Sequence, residues 1–93
     1  MEQRTLKELR EYHRTMSDAA RLRMIELLSR REQTVTEMAR GLRLSQPLVS
    51  WHLRRLVRTG LVQVHREGRE VHCTLNRTRM REYEHSLDSL IAE

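Results

Sequence analysis

The arginines between positions 43 and 69 are the side chains of this sequence best suited to a binding chemistry. The segment holds six arginines and one acidic residue, Glu67, and so carries a net charge of +5. The rest of the chain has 12 basic and 12 acidic residues, so all the excess positive charge lies in this segment. A guanidinium group matches phosphate oxygens and guanine edges in its geometry. The concentration of charge therefore predicts a surface that binds nucleic acid.

The sequence offers no support for enzymatic chemistry. It contains no glycine-rich phosphate loop and no HExxH sequence. The single cysteine, Cys73, excludes an internal disulfide and a cysteine-rich zinc site. We expect Cys73 to be a buried, inert thiol, with an exposed redox-active thiol as the alternative. Because no long apolar run or signal-peptide core is present, we expect a cytoplasmic protein that binds no membrane. Because no catalytic motif is present either, we expect that the protein is not an enzyme and needs no cofactor.

Two helices joined by a tight turn are predicted to position the arginines. Thr36 is expected to begin the first of them, a short helix that ends before the turn sequence RLS. Ser45 is expected to begin the second, with Pro47 in the first turn, where its missing N–H costs nothing. Gly60 ends this helix at a position that favours a left-handed residue. The predicted buried stripe of the second helix consists of Val49, Leu53, Leu56 and Val57.

A β-hairpin is predicted after these helices, because the apolar pattern changes from a period of 3.6 to a period of two. Val62 and Val64 alternate with polar residues, and so do Val71, Cys73 and Leu75. The sequence REGR joins the two runs. This pattern predicts two strands with a basic turn between them.

The first and last helices each carry an apolar seam with the three-four-three spacing that is typical of helix pairs. The seam residues are Leu6, Leu9, His13, Met16, Met80, Tyr83, Leu87 and Leu90. We interpret both seams as the interface of a homodimer; the alternative is that the two helices cover the core of a monomer. We expect His13 to be a packed interface histidine, with a pH-sensing or metal-binding role as the alternative.

Together these elements predict a mainly α (α+β) fold of winged helix-turn-helix type, with five helices and a two-stranded hairpin wing. A chain of 93 residues forms a single domain. We assign dimerisation helices to residues 1–16 and 77–93, the helix-turn-helix to 36–60 and the wing to 61–76. In such a fold the fourth helix lies in the major groove of DNA. The wing residues Arg66 and Arg69 then meet the backbone or a minor groove.

Three segments resemble the ArsR-type (ArsR/SmtB) bacterial transcriptional repressors: DAARLRMIELL, TVTEMARGLRLSQPLVSWHLRRLVRTGLV and REGREVHCTLN. The resemblance covers residues 17–76, about two thirds of the chain. It implies a homodimer that binds double-stranded DNA at a palindromic operator and represses its own operon. In many members of the family an inducer releases the DNA; the inducer of this protein is unknown.

The predicted DNA contacts come from the third helix, the turn, the exposed face of the fourth helix and the wing. They are Thr36, Arg43, Ser45, Gln46, Pro47, Ser50, Trp51, Arg54, Arg55, Arg58, Arg66 and Arg69. Gln46 is suited to adenine in the major groove, and Arg54 is the arginine favoured for reading DNA. Arg55 and Arg58 are expected to contact phosphate or solvent. Trp51 replaces a residue that is usually polar in the family, and either contacts DNA or packs against the wing.

The sequence departs from the family pattern at the metal sites and in the turn. Where members often carry Cys-Val-Cys, residues 34–36 are Thr-Val-Thr, and hydroxyls do not replace thiolates for soft metals. We therefore predict no metal at that position. Of the zinc or cobalt motif on the last helix, only His85 and Asp88 remain, as a candidate metal pair or a solvated surface. Arg43 replaces a usual glycine, which indicates an unusual backbone angle or an added phosphate contact.

Three functions stay open at this point. The first is a DNA-binding repressor without a small-molecule sensor. The second is a regulator that senses a metal or ligand at a non-standard site, at His85 and Asp88 or at His13. The third is a dimerisation module that does not bind DNA, and the concentration of arginine argues against it.

Overall fold

The computed structural model describes residues 3–92, with side chains from Leu6 onward. Within these residues the order of elements is α1 (Gln3–Met16), α2 (Ala19–Arg30), β1 (Gln33–Thr34), α3 (Val35–Leu42), α4 (Gln46–Arg58), β2 (Val62–Glu67), β3 (Glu70–Leu75) and α5 (Arg77–Ile91). The predicted terminal segments also included residues 1, 2 and 93, which lie outside the described part. The fold is a winged helix with five helices, as predicted, but its sheet has a third strand.

Side-chain caps begin the helices close to where the sequence indicates. Asp18 begins α2, and its carboxylate accepts the backbone N–H groups of Ala20 and Arg21 at 2.8 and 3.3 Å. Ser45 begins α4, and its hydroxyl accepts the N–H of Leu48 at 3.2 Å. These caps satisfy donors that have no partner inside the helix.

The helix α3 begins two residues earlier than predicted, so the assignment of its cap to Thr36 was wrong. Thr34 is the cap: its hydroxyl accepts the N–H of Glu37 at 3.0 Å, and the Glu37 carboxylate accepts the N–H of Thr34 at 2.9 Å. This reciprocal pair is a capping box. The N–H of Thr34 and the guanidinium of Arg31 lower the pKa of Glu37 to about 2.

The sheet is antiparallel with the strand order β1-β3-β2. The predicted hairpin is present, and Gly68 occupies its turn with a φ of 63°. The strand β1 was not predicted, because two residues are too short to produce an alternating pattern. It pairs Gln33 with Cys73 and Thr34 with His72. This pairing ties the wing to the start of α3.

The core is one cluster that draws on all five helices, the wing strand β2 and the strand β3. Its buried members are Leu9, Tyr12, Met24, Leu28, Met38, Ala39, Leu42, Val49, Leu53, Leu56, Leu61, Val62, Cys73 and Tyr83. Burial raises the pKa of the Cys73 thiol to about 11, as expected for an inert thiol. On α4 the predicted stripe was wrong at one position: Val57 is 37% exposed, and His52, at 5%, is buried instead.

The seams of the terminal helices divide into two groups. Leu9 and Tyr83 are only 4% and 6% exposed, since they pack in the core of their own chain. Met16 and Met80 are half-buried against that core. Leu9 and Tyr83 therefore keep little surface for a partner chain, whereas Met16 and Met80 keep part of theirs, and the assignment of the seams to a dimer interface stays a prediction. The exposed seam residues are Leu6, His13, Leu87 and Leu90.

An aromatic pair joins the two terminal helices. The rings of Tyr12 in α1 and Tyr83 in α5 stack with their centroids 4.4 Å apart. The Tyr83 hydroxyl donates to the carbonyl oxygen of Thr59 at 2.7 Å, at the end of α4. No helix within residues 3–92 is long and apolar enough to cross a membrane.

The position of the α3 cap leads to a stability prediction. The substitution Thr34→Ala removes the hydroxyl that accepts the N–H of Glu37 in the first turn of α3. It should lower the free energy of unfolding by about 1 kcal/mol. For a domain of this size that lowers the melting temperature by roughly 4–8 °C. Thr36→Ala is the matched control and should change stability by less than about 0.5 kcal/mol. Equal losses in the two variants, measured by thermal denaturation, would contradict the assignment.

Candidate nucleic-acid interface

The turn between α3 and α4 depends on a left-handed residue. Arg43 has φ 57° and ψ 44°, the one positive φ at a non-glycine position among the described residues. This conformation lets the N–H of Leu44 reach the carbonyl oxygen of Ala39 at 3.0 Å, which closes the end of α3. A residue with a Cβ adopts it at a cost of roughly 1–2 kcal/mol. The unusual backbone angle expected at Arg43 is confirmed, and its exposed side chain leaves the second role, phosphate contact, available.

The beginning of α4 presents polar side chains next to α3. Gln46 is exposed, and its amide donates to the Thr36 hydroxyl at 3.3 Å. Arg54 is exposed two turns further along the helix, and Ser50 lies half-buried between them. The fold thus brings Thr36, Gln46, Ser50 and Arg54 to one side of the helix-turn-helix. Ser45 and Pro47 are also exposed at the helix start.

Trp51 forms a stack with charged and aromatic neighbours. The guanidinium carbon of Arg55 lies 3.7 Å from the centroid of the indole, a cation–π contact, and that of Arg21 lies 5.9 Å away. The ring of His52 meets the indole edge-on at 4.9 Å. Within the described residues, these ring contacts of Trp51 belong to α2 and α4 rather than to the wing. The indole stays 40% exposed on the same helix as Gln46.

A buried polar pair fixes α4 against α2. The Nε of Arg21 donates to the carbonyl oxygen of Thr15 at 2.6 Å, and its Nη1 lies 3.1 Å from the Nδ1 of His52. Because arginine only donates, Nδ1 must be the acceptor, and the imidazole is neutral. Burial lowers the pKa of His52; Asp18 opposes this effect, and Arg21 and Arg55 add to it. Sequence reasoning missed His52, although its spacing from Val49 and Leu56 puts it on the buried face.

The wing carries both signs of charge. Arg66 and Arg69 are exposed beside the turn, as predicted. The carboxylates of Glu67 and Glu70 instead lie 3.3 and 3.4 Å from the Nε2 of His72. The wing thus carries two carboxylates that contact His72 beside the two exposed arginines.

The histidines chosen from the sequence do not gather metal ligands. His85 and Asp88 are both exposed on α5, and His13 is exposed with its ring 5.1 Å from that of Tyr12. Across residues 3–92, the one group of three or more side chains that could hold a metal ion comprises Glu32, His65 and His72. Sequence reasoning missed it. The available signal was the hairpin register, which puts His65 opposite His72.

Comparison with known proteins identifies relatives for most of the chain. Residues 18–64 match the sequence profile described as "Bacterial regulatory protein, arsR family". The chain is 35% identical over 60 residues to a probable mercury resistance operon repressor from Streptomyces lividans, covering 64% of this chain and 48% of that protein. It is 34% identical over 68 residues to a transcriptional repressor SmtB homolog from Synechocystis sp., covering 73% and 52%. The chain thus spans about half the length of these curated relatives.

A solved structure supports the same relationship over the full length. HlyU from Vibrio cholerae is 30% identical, with a TM-score of 0.77, and the match covers 100% of both chains. Helices, turn and wing therefore follow one arrangement in the two proteins.

The buried pair of Arg21 and His52 leads to a prediction about pH. The pKa of His52 is lower in the folded chain than in the unfolded chain, so below about pH 6.5 the unfolded chain binds more protons. The free energy of unfolding should therefore fall as the pH drops below about 6.5 and level off below the pKa of the folded state. His52→Gln should flatten this dependence, whereas His85→Gln, at an exposed site, should keep it. Parallel profiles for wild type and His52→Gln in urea titrations would refute the assignment.

Proposed function

Because the chain belongs to the arsR family of bacterial regulatory proteins, we propose that it is a homodimeric repressor that binds double-stranded DNA at a palindromic operator. The observation that carries the proposal is the polar face of α4, on which Gln46 and Arg54 are exposed while the opposite face is buried. A regulator of this kind works in the cytoplasm, at the nucleoid, and we extend the proposal to that location.

In the proposed complex α4 lies in the major groove with its first turns against the bases. The Gln46 amide offers a donor and an acceptor to adenine, and its hydrogen bond with Thr36 holds the side chain near the turn. Arg54 offers a paired set of donors to guanine. We assign Ser45 and Arg43, at the turn, to phosphate contacts, where the N-terminal dipole of α4 also favours an anion.

Trp51 and Arg55 act together in this proposal. The guanidinium over one face of the indole keeps the ring in a fixed orientation. The exposed part of the ring then contacts a thymine methyl group or the sugar-phosphate edge, and Arg55 and Arg58 contact phosphate. We assign Arg66 and Arg69 of the wing to the backbone or the adjacent minor groove.

The homodimer is proposed to form through the exposed half of the terminal seams. Leu6 on α1 is 50% exposed, and Leu87, Leu90 and Ile91 on α5 are 41%, 43% and 79% exposed. We expect a partner chain to bury these apolar side chains. A two-fold axis there presents two copies of α4 to successive major grooves, about 34–36 Å apart.

The contacts of Gln46 and Arg54 can be tested with an operator obtained by repeated rounds of selection from a random duplex library. Gln46→Ala and Arg54→Ala should each weaken operator binding by about 1–3 kcal/mol, roughly tenfold to a hundredfold, and relax the sequence preference. Arg81→Ala, at an exposed position of α5, is the matched control and should bind like wild type. Fluorescence anisotropy measures all four proteins.

The same titrations, repeated at several salt concentrations, measure how operator affinity depends on salt. Contacts to about six to ten phosphates should reduce wild-type affinity by roughly 10³–10⁵ between about 50 and 200 mM salt. Unchanged affinity in both variants, or an affinity that does not depend on salt, would refute the proposed surface and favour an interaction module that does not bind DNA.

The dimer surface has its own test. Leu87→Glu combined with Leu90→Glu puts two carboxylates into the proposed interface and should raise the dimer dissociation constant by at least about tenfold. Val64→Glu replaces an apolar residue of similar exposure on β2 and should leave dimerisation unchanged. Sedimentation equilibrium of the three proteins measures this. A wild-type monomer at every concentration, or equal dimerisation in all three proteins, would be incompatible with the surface.

A further inference from the structure

One face of the wing gathers imidazole and carboxylate groups. His65 in β2 and His72 in β3 are register partners, and their rings stack with centroids 5.1 Å apart and an angle of 15° between the planes. Cys73, the neighbour of His72, is buried on the opposite face of the sheet, since successive residues of a strand alternate. Glu32 reaches this face from the residue before β1.

The distances within this cluster fit ligands that share an ion. One ligand atom from each of Glu32, His65 and His72 lies within 4.8 Å of the others. The Nδ1 of His72 is 3.2 Å from the Oε2 of Glu32. Two ligands of a tetrahedral ion with bonds of about 2.0–2.2 Å stand roughly 3.3–3.5 Å apart.

The second ring nitrogen of His72, Nε2, also has neighbours that can accept its hydrogen. Its Nε2 lies 3.3 Å from a carboxylate oxygen of Glu67 and 3.4 Å from one of Glu70. In protein metal sites the nitrogen that does not bind the metal usually donates its hydrogen to a carboxylate, which fixes the orientation of the ring. The cluster therefore contains both the ligands and the groups that orient one of them.

We propose that Glu32, His65 and His72 bind a divalent metal ion of the zinc class, with Glu67 and Glu70 as hydrogen-bond acceptors behind His72. Two imidazoles and one carboxylate suit zinc, nickel, cobalt or copper better than magnesium or calcium, which prefer oxygen alone. Three protein ligands leave a fourth position for water. The site joins β2 and β3 to the segment before β1, so the ion holds the wing to the body of the domain. It is separate from His85 and Asp88.

Calorimetric titration of the metal-free chain with zinc, in the absence of DNA, tests the site. Wild type should bind one ion per chain. His65→Gln and His72→Gln should each weaken binding by at least about tenfold, since even the loss of a group behind the ligand costs about 10–100-fold. His85→Gln, the matched control, should bind like wild type. No zinc binding by wild type, unchanged binding in both wing variants, or loss of binding in His85→Gln would each overturn the proposal.

Two further measurements separate loss of the metal from loss of the fold. The metal-free melting temperatures of wild type and variants should agree, and zinc should raise the melting temperature of wild type and not that of His72→Gln. Glu32→Gln removes a ligand outside the hairpin strands, so it applies even where a histidine variant folds poorly, and it should also weaken zinc binding. A rise in melting temperature with zinc that is equal in wild type and Glu32→Gln would overturn the proposal. Because no DNA is present, these results do not depend on operator binding.

Discussion

The position of α4 depends on one buried guanidinium group. Arg21 is buried, so its charge must be compensated by hydrogen bonds, and it finds acceptors in the carbonyl oxygen of Thr15 and the Nδ1 of His52. The first acceptor ends α1 and the second lies in the middle of α4, so a single side chain of α2 aligns three helices. With His52 turned inward, the helical period leaves Gln46 and Arg54 on the exposed side. The polar face of α4 that is proposed to read DNA is thus a consequence of how the helix is held, and the contact with Arg21 requires a neutral His52.

The terminal helices act on α4 through a second contact. Tyr12 and Tyr83 stack between α1 and α5, and the Tyr83 hydroxyl donates to the Thr59 carbonyl at the end of α4. This bond satisfies a carbonyl that the helix itself leaves without a partner. The helices proposed to form the dimer are therefore in direct contact with the helix proposed to read DNA. In the proposed dimer, this hydrogen bond would couple the position of α5 to the spacing of the two copies of α4.

What the sequence could predict was set by the range of the interactions involved. The cap at Ser45 was predicted because a cap acts within three residues. The cap at Thr34 was missed, since Thr34 also belongs to a strand whose partner lies about forty residues away. The seam spacing predicts that Tyr83 is buried, but it does not say whether its own chain or a partner buries it. The packing of α1 against α5 shows that Tyr83 is buried in its own chain. The polar face of α4 followed from local periodicity, whereas the group of Glu32, His65 and His72 followed only from strand register.

The acidic residues of the wing bear on its proposed contact with DNA. Glu67 and Glu70 lie next to Arg66 and Arg69 in sequence, and free carboxylates there would repel phosphate. The fold turns both carboxylates toward His72, on one face of the hairpin. No ion pair to either arginine is formed within residues 3–92, so their charges remain available at the turn. The contacts of Glu67 and Glu70 with His72 thus serve the wing even without a metal, because they give the two carboxylates a partner other than the arginines that are proposed to meet DNA.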